Sequence, residues 1–337
     1  MSIQAAIAES LQMLDRGRNQ SAVEVLNAAR TTPAPDTERY ALGEALLRAS
    51  NCRDGWDLYD LHPSRAADRL PIHQRWDGTH CSQLVLIAEQ GFGDAVQFLR
   101  FVPPVAKRAD RVVLAIHDEL YDIARAAPLL AGVEVITKSD ARGTVWPRQT
   151  RWERLMSLPA HLNASAIATP MSAYLTAPGT QIQIPAAPAG SWNVGVAWRS
   201  TPRRGFANRS IPRTIAAKLA ATDFLRPLVL HRDQDVGRLP GGAVSVGIRD
   251  FADTAAVIAQ CRYVVTADTV TAHLAPALGV PTIICLRHLP DWRWGAPAAP
   301  TTWYDTARLT FQKGDEHWQS VLDQAVRTVT AAMPEQQ

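Results

Sequence analysis

Several common features are scarce in this chain of 337 residues. It has only 4 cysteines, none of them in a CxxC pair, and its histidines form no HxxxH-type set of metal ligands. No apolar run reaches the length of about 18 residues that a membrane-spanning helix needs. The N-terminus carries Glu9 and Asp15 and lacks the apolar core of a signal peptide. We therefore expect neither a structural metal site nor a membrane span.

A strong charge of one sign is also missing. The formal net charge of +3 is too small to predict binding to nucleic acid. A hydrophobic content of 47% with 20% charged residues is typical of a globular protein with a large core. Cys261 and Cys285 lie in apolar runs, which favours buried thiols in a reducing compartment. We expect a cytoplasmic protein, whose slight positive charge also allows a peripheral position at the inner membrane.

Residues 1–64 have the spacing of helices, with apolar side chains recurring from Ile3 to Leu14. The segment at Leu14 aligns with the segment at Leu47 at an offset of 33 residues, which places Ala22 opposite Gly55. This period is similar to that of degenerate tetratricopeptide repeats, although a plain helical lead-in fits nearly as well. Two copies are too few to stand alone. We expect the block to lean on the next domain, and its helices could bind a partner or a second copy.

Residues 65–185 alternate between strand and helix patterns and form a first predicted α/β domain. The predicted strands are 84–88, 111–116 and 133–136, with a helix over 95–108 that bends at Pro103. Strands joined through helices pair in parallel. We therefore expect a small parallel sheet covered by helices.

Residues 186–333 form a second predicted α/β domain after a linker at 178–188 that is rich in proline, alanine and glycine. The predicted strands are 194–198, 227–231, 244–248, 264–267 and 282–286, and a helix follows at 316–332. Two such domains in tandem leave a cleft between their strand ends, where one ligand can touch both.

The turn after the first strand of the first domain carries Gln90, Gly91, Gly93 and Asp94. The two glycines allow a tight turn and a close approach to a ligand. Asp94 can cap the following helix or act as a general base. The glycines alone are weak evidence for a dinucleotide site, since the rest of that fingerprint is missing.

A strand, a polar turn, a short helix and another strand occupy residues 262–286. Asp268 is placed to cap the helix, and the hydroxyl of Thr269 lies one turn before His273. Free N–H groups and the positive end of the helix dipole favour a phosphate there. The alternative is an ordinary capped helix with a surface histidine.

Three further segments carry polar or aromatic candidates. Ser200, Thr201 and Arg209 follow the first strand of the second domain and suit a diphosphate, although a solvated basic loop fits equally well. Asp250 can cap a helix or reach a ribose. The loop at 290–294 contains two indoles and an arginine, which suit sugar or base stacking or plain packing. A DxD pattern at 233–235 is treated as a chance match.

Segments 89–101, 208–212, 250–254, 268–274 and 291–294 occur in the order found in one family. Together they resemble the tetratricopeptide-linked glycosyltransferases related to glycosyltransferase family 9, the ADP-heptose:LPS heptosyltransferase-like enzymes. The resemblance extends from residue 55 to residue 329. It implies an α/β fold of the GT-B-like type, with two Rossmann-like domains and a short helical block before them.

The resemblance also implies an activity: inverting, metal-independent transfer from a nucleotide-diphosphate sugar to a hydroxyl of a glycan, a lipid-linked glycan or a protein, without a cofactor. It makes Asp94 the general base and places the donor-binding set in the second domain. That set comprises Asp268, Thr269, His273, Ser200, Thr201, Arg209 and Asp250. The candidates on the acceptor side are Gln90, Gly93, Trp292 and Arg293.

Two departures from the family pattern leave the donor open. Arginines 203, 204 and 209 stand where heptosyltransferases usually carry a lysine, and Val270 stands where they often carry a glycine. A nucleotide-sugar epimerase of similar fold is one alternative. Another, from a different class, is a non-catalytic scaffold that binds a nucleotide sugar or a partner protein.

Overall fold

The computed structural model describes residues 1–50, 53–62, 74–162, 169–179, 182–184, 186–200, 208–232, 239, 241–295, 301–314 and 317–332. Within these ranges a block of helices precedes two parallel sheets, each accompanied by helices. This is the α/β, GT-B-like fold class that the sequence predicted. Among the described residues, no helix is long and apolar enough to cross a membrane.

The N-terminal block consists of two helical hairpins. Its helices are α1 (Ile3–Asp15), α2 (Asn19–Ala29), α3 (Asp36–Ser50) and α4 (Arg53–Tyr59). Ile3 and Asp36, the first residues of the two hairpins, are 33 residues apart, as the alignment offset requires. A Cβ at Gly55 would lie 2.8 Å from the side chain of Leu47, so the helices approach closely at this glycine. The likeness to tetratricopeptide repeats stays a prediction.

The helical block leans on the rest of the molecule, as expected. The buried ring of Trp56 lies with its centroid 5.6 Å from that of Phe98 in the first α/β unit and 5.3 Å from that of Trp292 in the second. The Arg48 guanidinium donates a hydrogen bond of 2.9 Å to the carbonyl of Pro290. The block therefore contacts both units.

The first α/β unit contains a parallel sheet in the order β3-β2-β1-β4. Its elements are β1 (Cys81–Ile87), α5 (Phe92–Phe98), α6 (Val102–Ala106), β2 (Ala109–Ile116), α7 (Tyr121–Arg125), β3 (Glu134–Thr137), α8 (Lys138–Gly143) and β4 (Arg151–Arg154). A 3₁₀ turn at Leu99–Phe101 separates α5 from α6, which has prolines in its first turn. The predicted bend near Pro103 is therefore confirmed, whereas β4 had no sequence prediction.

The second unit contains a parallel sheet in the order β6-β5-β7-β8-β9. Its elements are β5 (Trp192–Ala197), α9 (Thr214–Ala220), β6 (Leu225–Val229), α10 (Phe251–Ile258), β7 (Tyr263–Ala267), α11 (Thr271–Ala277), β8 (Thr282–Leu286), β9 (Ala307–Phe311) and α12 (Gln319–Ala331). The predicted strand at 244–248 is wrong, because only Val244 forms a bridge, with Leu228. The strand β9 had no sequence prediction.

Both sheets reverse their strand order at one point. The chain moves from β1 outward to β3 and returns to place β4 on the other side of β1. In the second sheet the same reversal lies between β5 and β7. In open parallel sheets, ligands bind outside the carboxyl ends of the strands at such a reversal. The turns after β1, β5 and β7 therefore occupy the expected ligand-binding edges.

The chain crosses from the first unit to the second along residues 171–176. There the N–H groups of Ala173 and Leu175 donate to the carbonyls of Pro276 and Ala277, at 3.1 and 2.8 Å. The Tyr174 hydroxyl donates to the Val96 carbonyl at 3.0 Å. One continuous hydrophobic cluster includes side chains of the helical block and of both units. The two units are thus packed together at this junction. The domain limits at 64 and 185 stay predictions.

Candidate active site at the junction of the two units

The turn after β1 places Asp94 as the third residue of α5. The Asp94 Oδ2 atom accepts a hydrogen bond of 2.9 Å from the N–H of Gly91, which precedes the helix. This is the reciprocal half of a capping box, so the carboxylate stabilises the helix start from inside the first turn. The sequence had placed Asp94 at the helix start, either as a cap or as a base. The capping contact is present.

The second oxygen of Asp94 contacts the other α/β unit. Its Oδ1 atom accepts a hydrogen bond of 2.5 Å from Arg293 Nη2, and the two side chains are 14% and 7% exposed. Burial alone would lower the pKa of Arg293, but Asp291 and Asp94 outweigh burial and raise it. Arg293 therefore stays charged, and this ion pair ties the two units together beside the proposed base.

The indoles of the 290–294 loop are packed rather than exposed. The Trp292 ring lies against the rings of Trp56 and Tyr59, with centroids 5.3 and 5.4 Å away. Trp294 stacks on His273 at 5.1 Å with an interplanar angle of 18°. Both indoles are buried. The packing alternative therefore holds, and the stacking of a ligand on Trp292 is not supported.

Asp268 does not cap the helix that follows it. α11 begins at Thr271 after Val270, which forms no side-chain cap, and the Oγ1 atom of Thr269 accepts the Thr271 N–H at 3.2 Å. Asp268 Oδ2 instead accepts a hydrogen bond of 3.3 Å from Arg209 Nη1. The aspartate is 5% exposed and the arginine 35%. Burial raises the pKa of Asp268, and the Arg209 guanidinium opposes that shift.

His273 is a buried histidine, which excludes the alternative of a surface histidine. Its Nδ1 atom lies 3.0 Å from the Tyr304 hydroxyl. Burial, and then the positive charges of Arg293 and Arg100, hold the pKa of His273 well below its ordinary range. The imidazole is therefore neutral at physiological pH, and it can offer a ligand a hydrogen bond but not a positive charge.

Gly93 brings the two turns into contact. A Cβ at this position would lie 2.8 Å from Cδ2 of the His273 ring, closer than real Cβ contacts come. Only glycine allows this approach without a shift of one partner. The turn that carries Asp94 therefore contacts the His273 ring directly. However, side chains fill the junction between the turns.

The remaining donor candidates lie nearby. Ser200 is buried, and its N–H and hydroxyl lie 3.0 and 3.3 Å from the Ser210 hydroxyl. Thr201, arginines 203 and 204 and the DxD pattern at 233–235 lie outside the described residues. Asp250 is exposed and caps α10 by accepting the Asp253 N–H at 2.8 Å. Its observed contact is that of a cap, and a contact with ribose stays a prediction.

Residues that the sequence did not single out complete the junction. Buried Arg100 of the first unit donates to the Trp303 carbonyl and lies over the Tyr304 ring, 4.6 Å from its centroid. The Trp303 indole N–H in turn donates to the carbonyl of Arg293 at 2.6 Å. The only sequence feature that could have indicated these contacts is the pair of adjacent aromatic residues, Trp303 and Tyr304. Their partner Arg100 lies about 200 residues away in the sequence, so the contact itself could not be predicted.

A metal site has no clear candidate in this part of the chain. No group of three or more histidine, cysteine, aspartate or glutamate side chains within the described ranges could hold a metal ion. Cys261 and Cys285 are buried thiols, as predicted, and burial raises the pKa of each to about 12.

A scan against protein-family models finds no match, and no curated protein matches the sequence. Among solved structures, the chain is similar to a glycosyl transferase family 9 protein of Veillonella parvula, with 12% identity, TM-score 0.48, and coverage of 77% of this chain and 92% of that one. It is also similar to the E. coli heptosyltransferase WaaC with ADP-2-deoxy-2-fluoro heptose, with 13% identity and TM-score 0.46. A third similar structure is E. coli ADP-heptose LPS heptosyltransferase II, with 13% identity and TM-score 0.47. Each of these two matches covers 74% of this chain and 100% of the other. Because these sequence identities and TM-scores are low, a function has to be argued from the residues of the site itself.

Proposed function

We propose that this protein is a glycosyltransferase that moves a sugar from a nucleotide-diphosphate sugar to an acceptor hydroxyl, with Asp94 as the general base. The observation that carries the proposal is the setting of Asp94. Its carboxylate lies at the ligand-binding edge of the first sheet, held by the Gly91 N–H and by Arg293. Each carboxylate oxygen has two lone pairs, so one on each remains for a substrate proton.

The proposed reaction inverts the anomeric carbon. The acceptor hydroxyl loses its proton to Asp94 while its oxygen attacks the anomeric carbon from the face opposite the leaving nucleotide. The bond from carbon to the diphosphate oxygen breaks, and the nucleotide diphosphate leaves with the bonding electrons. In this proposal Gln90 and Gly93, which lie in the same turn as the base, contact the acceptor. The acceptor class stays a glycan, a lipid-linked glycan or a protein.

The donor would bind at the reversal point of the second sheet. Arg209 is 35% exposed and uses one Nη1 contact on Asp268, so its other N–H groups can bind a phosphate. Thr269 and Ser200 supply hydroxyls beside it. In this proposal these groups stabilise the charge on the departing diphosphate, so that no metal ion is required.

Substrate binding would require the junction to open. Gly93 meets His273, and Arg293 meets Asp94, so the units are closed against each other here. Closure around bound substrates would exclude water, which would otherwise hydrolyse the donor. We infer a cycle in which the units separate, bind and close.

One observation favours the non-catalytic scaffold. Both oxygens of Asp94 and the Nδ1 atom of His273 already have protein partners. A decayed site that serves only for packing would look similar. The two proposals differ in whether a nucleotide sugar is consumed.

The proposal is tested first by thermal shift with a panel of nucleotide-diphosphate sugars. A true donor at 100 times its dissociation constant adds about 2.7 kcal/mol to the free energy of unfolding. Asp268→Asn should reduce the donor-induced shift, because it removes the carboxylate that holds Arg209, the proposed phosphate ligand, in place. Asp253→Asn is the matched control, since this buried aspartate of the same unit pairs with Arg249 instead. A panel without any shift in the wild type would contradict the proposal.

A further inference from the structure

The last residue of α4, Tyr59, reaches the turn that carries Asp94. Its side chain is buried, although it belongs to the N-terminal helical block. The Tyr59 hydroxyl donates a hydrogen bond of 3.3 Å to Oε1 of Gln90. The helical block thus contacts the catalytic turn directly, through a polar group.

Gln90 has an unusual backbone. Its φ angle is +62°, and among the described residues other than glycine only Ala173 and Phe224 also have a positive φ. Such a conformation costs a non-glycine residue roughly 1–3 kcal/mol and persists only where surrounding contacts hold it. Gln90 directly precedes Gly91, whose N–H holds the Asp94 carboxylate. The conformation of Gln90 therefore sets where that N–H points.

Tyr59 also supports the other partner of Asp94. Its ring lies against Trp292, with centroids 5.4 Å apart. The Arg293 guanidinium lies over the same indole, 5.1 Å from the ring centroid, and its Nη2 contacts Asp94. One side chain of the helical block thus touches both supports of the carboxylate.

We propose that Tyr59 is a positioning residue for the transfer reaction. Its hydroxyl holds Gln90 in the left-handed conformation, and its ring supports the Trp292 indole under Arg293. Through Gly91 and Arg293, the two contacts act on the two oxygens of the Asp94 carboxylate. The helical block is then a part of the active site and more than a docking module. This inference rests on the proposed function.

The test compares Tyr59→Phe with Tyr40→Phe in the full chain. The first change removes only the hydroxyl and keeps the ring on Trp292. Tyr40 is a matched control, because its ring lies 5.4 Å from that of Tyr59 but no Gln90 contact depends on it. We expect Tyr59→Phe to lower kcat roughly 10-fold to 100-fold, the scale of a small misplacement. Its donor KM should stay near the wild-type value. Each variant loses one hydrogen bond, that of Tyr59 to Gln90 or that of Tyr40 to Glu44, so both should lower the melting temperature, but only Tyr59→Phe should lower kcat.

A second substitution separates positioning from general stability. Glycine adopts a positive φ without strain, so Gln90→Gly needs no support from Tyr59. Because Gln90 is also a proposed acceptor contact, Gln90→Gly should itself raise the acceptor KM, so kcat is compared at saturating acceptor. In this background, Tyr59→Phe should change kcat by less than about 2-fold, because the contact it removes is no longer used.

Two results would overturn the inference: wild-type kcat in Tyr59→Phe, or the same loss of kcat in both backgrounds. A wild-type protein that transfers no sugar from any donor would instead reject the proposed function, and the positioning role with it.

Discussion

Two turns at the junction begin with the same sequence pattern, a buried strand followed by an aspartate and a short helix. After β1, Asp94 lies inside the first turn of its helix and stabilises the helix start. After β7, Asp268 lies before its helix and is itself buried, and it pairs with the partly exposed Arg209, while Thr269 accepts the first helical N–H. One pattern has therefore produced a partly accessible carboxylate and a buried one.

The difference comes from distant partners. Arg293 is 199 residues from Asp94, and Arg209 is 59 residues from Asp268. Neither arginine is part of the local pattern, yet each decides what its aspartate contacts. The accessible carboxylate is the one suited to take a proton, and the buried one is suited to hold an arginine in place for a phosphate.

Gly93→Ala should have the largest effect on stability, because it breaks the contact between the two turns. The new Cβ would meet the His273 ring at 2.8 Å. Overpacking of this kind costs about 1–3 kcal/mol in the free energy of unfolding. Denaturant unfolding measures the loss. The control is Gly143→Ala, a helical glycine with nothing within 4 Å, which should be neutral or slightly stabilising.

An unchanged stability in Gly93→Ala would mean that the two turns are not in contact in solution. The two turns would then be independent of each other and would not form one closed junction.

The pH dependence of stability should report on His273. Its folded pKa lies well below the value of 6.5 that the unfolded chain has. Below about pH 6.5 the unfolded chain gains a proton at His273 that the folded protein does not take up. Stability should therefore fall as the pH decreases, by up to about 1.4 kcal/mol per pH unit. Urea unfolding at a series of pH values checks this.

His273→Gln removes the titrating group and should flatten that slope between about pH 6.5 and 5. A residual slope is expected from His117, whose pKa burial also lowers. Equal slopes in the wild type and the variant would contradict a neutral, buried His273.

Asp250→Ala should have the smallest effect on the free energy of unfolding. Asp250 is a third aspartate at a helix start and can be compared with Asp94 and Asp268. Asp250 caps α10 without the distant arginine that the other two have among their contacts. Loss of a cap costs about 1 kcal/mol, whereas Asp250→Asn keeps the cap. Calorimetric titration of Asp250→Asn with nucleotide tests the predicted contact with ribose. That contact predicts weaker binding in this variant, whereas a role as a cap alone predicts unchanged affinity.

Much of the fold could be predicted from local pattern. The four helices of the N-terminal block, the bend between α5 and α6 and the strand at Thr282–Leu286 all follow from apolar spacing and from breakers. Two strands could not be predicted. β4 (Arg151–Arg154) is mostly charged, and its Glu153 becomes buried because Arg75 and His161 lie 3.1 and 2.9 Å away. Tertiary contacts there override local preference.

The candidate site could be predicted only in part. Motif order pointed to Asp94, Asp268 and His273, and the structure places all three at one junction. The motif order could not predict that Tyr304 contacts His273 or that Arg293 reaches Asp94, because these contacts join distant segments. The aromatic side chains were the most ambiguous. An indole suits packing and ligand stacking equally well until its burial is known.

The most direct test of the central claim is the transfer rate of Asp94→Asn, measured beside donor affinity. Asparagine keeps the size of the side chain and can still accept the Gly91 N–H, but its amide nitrogen then faces Arg293 in place of an oxygen. A melting curve of the variant therefore accompanies the assay and shows whether the fold persists. If Asp94 is the base, transfer falls by roughly 10²–10⁴-fold, while the donor binds as tightly as it does to the wild type. Full activity in Asp94→Asn would remove Asp94 from the mechanism.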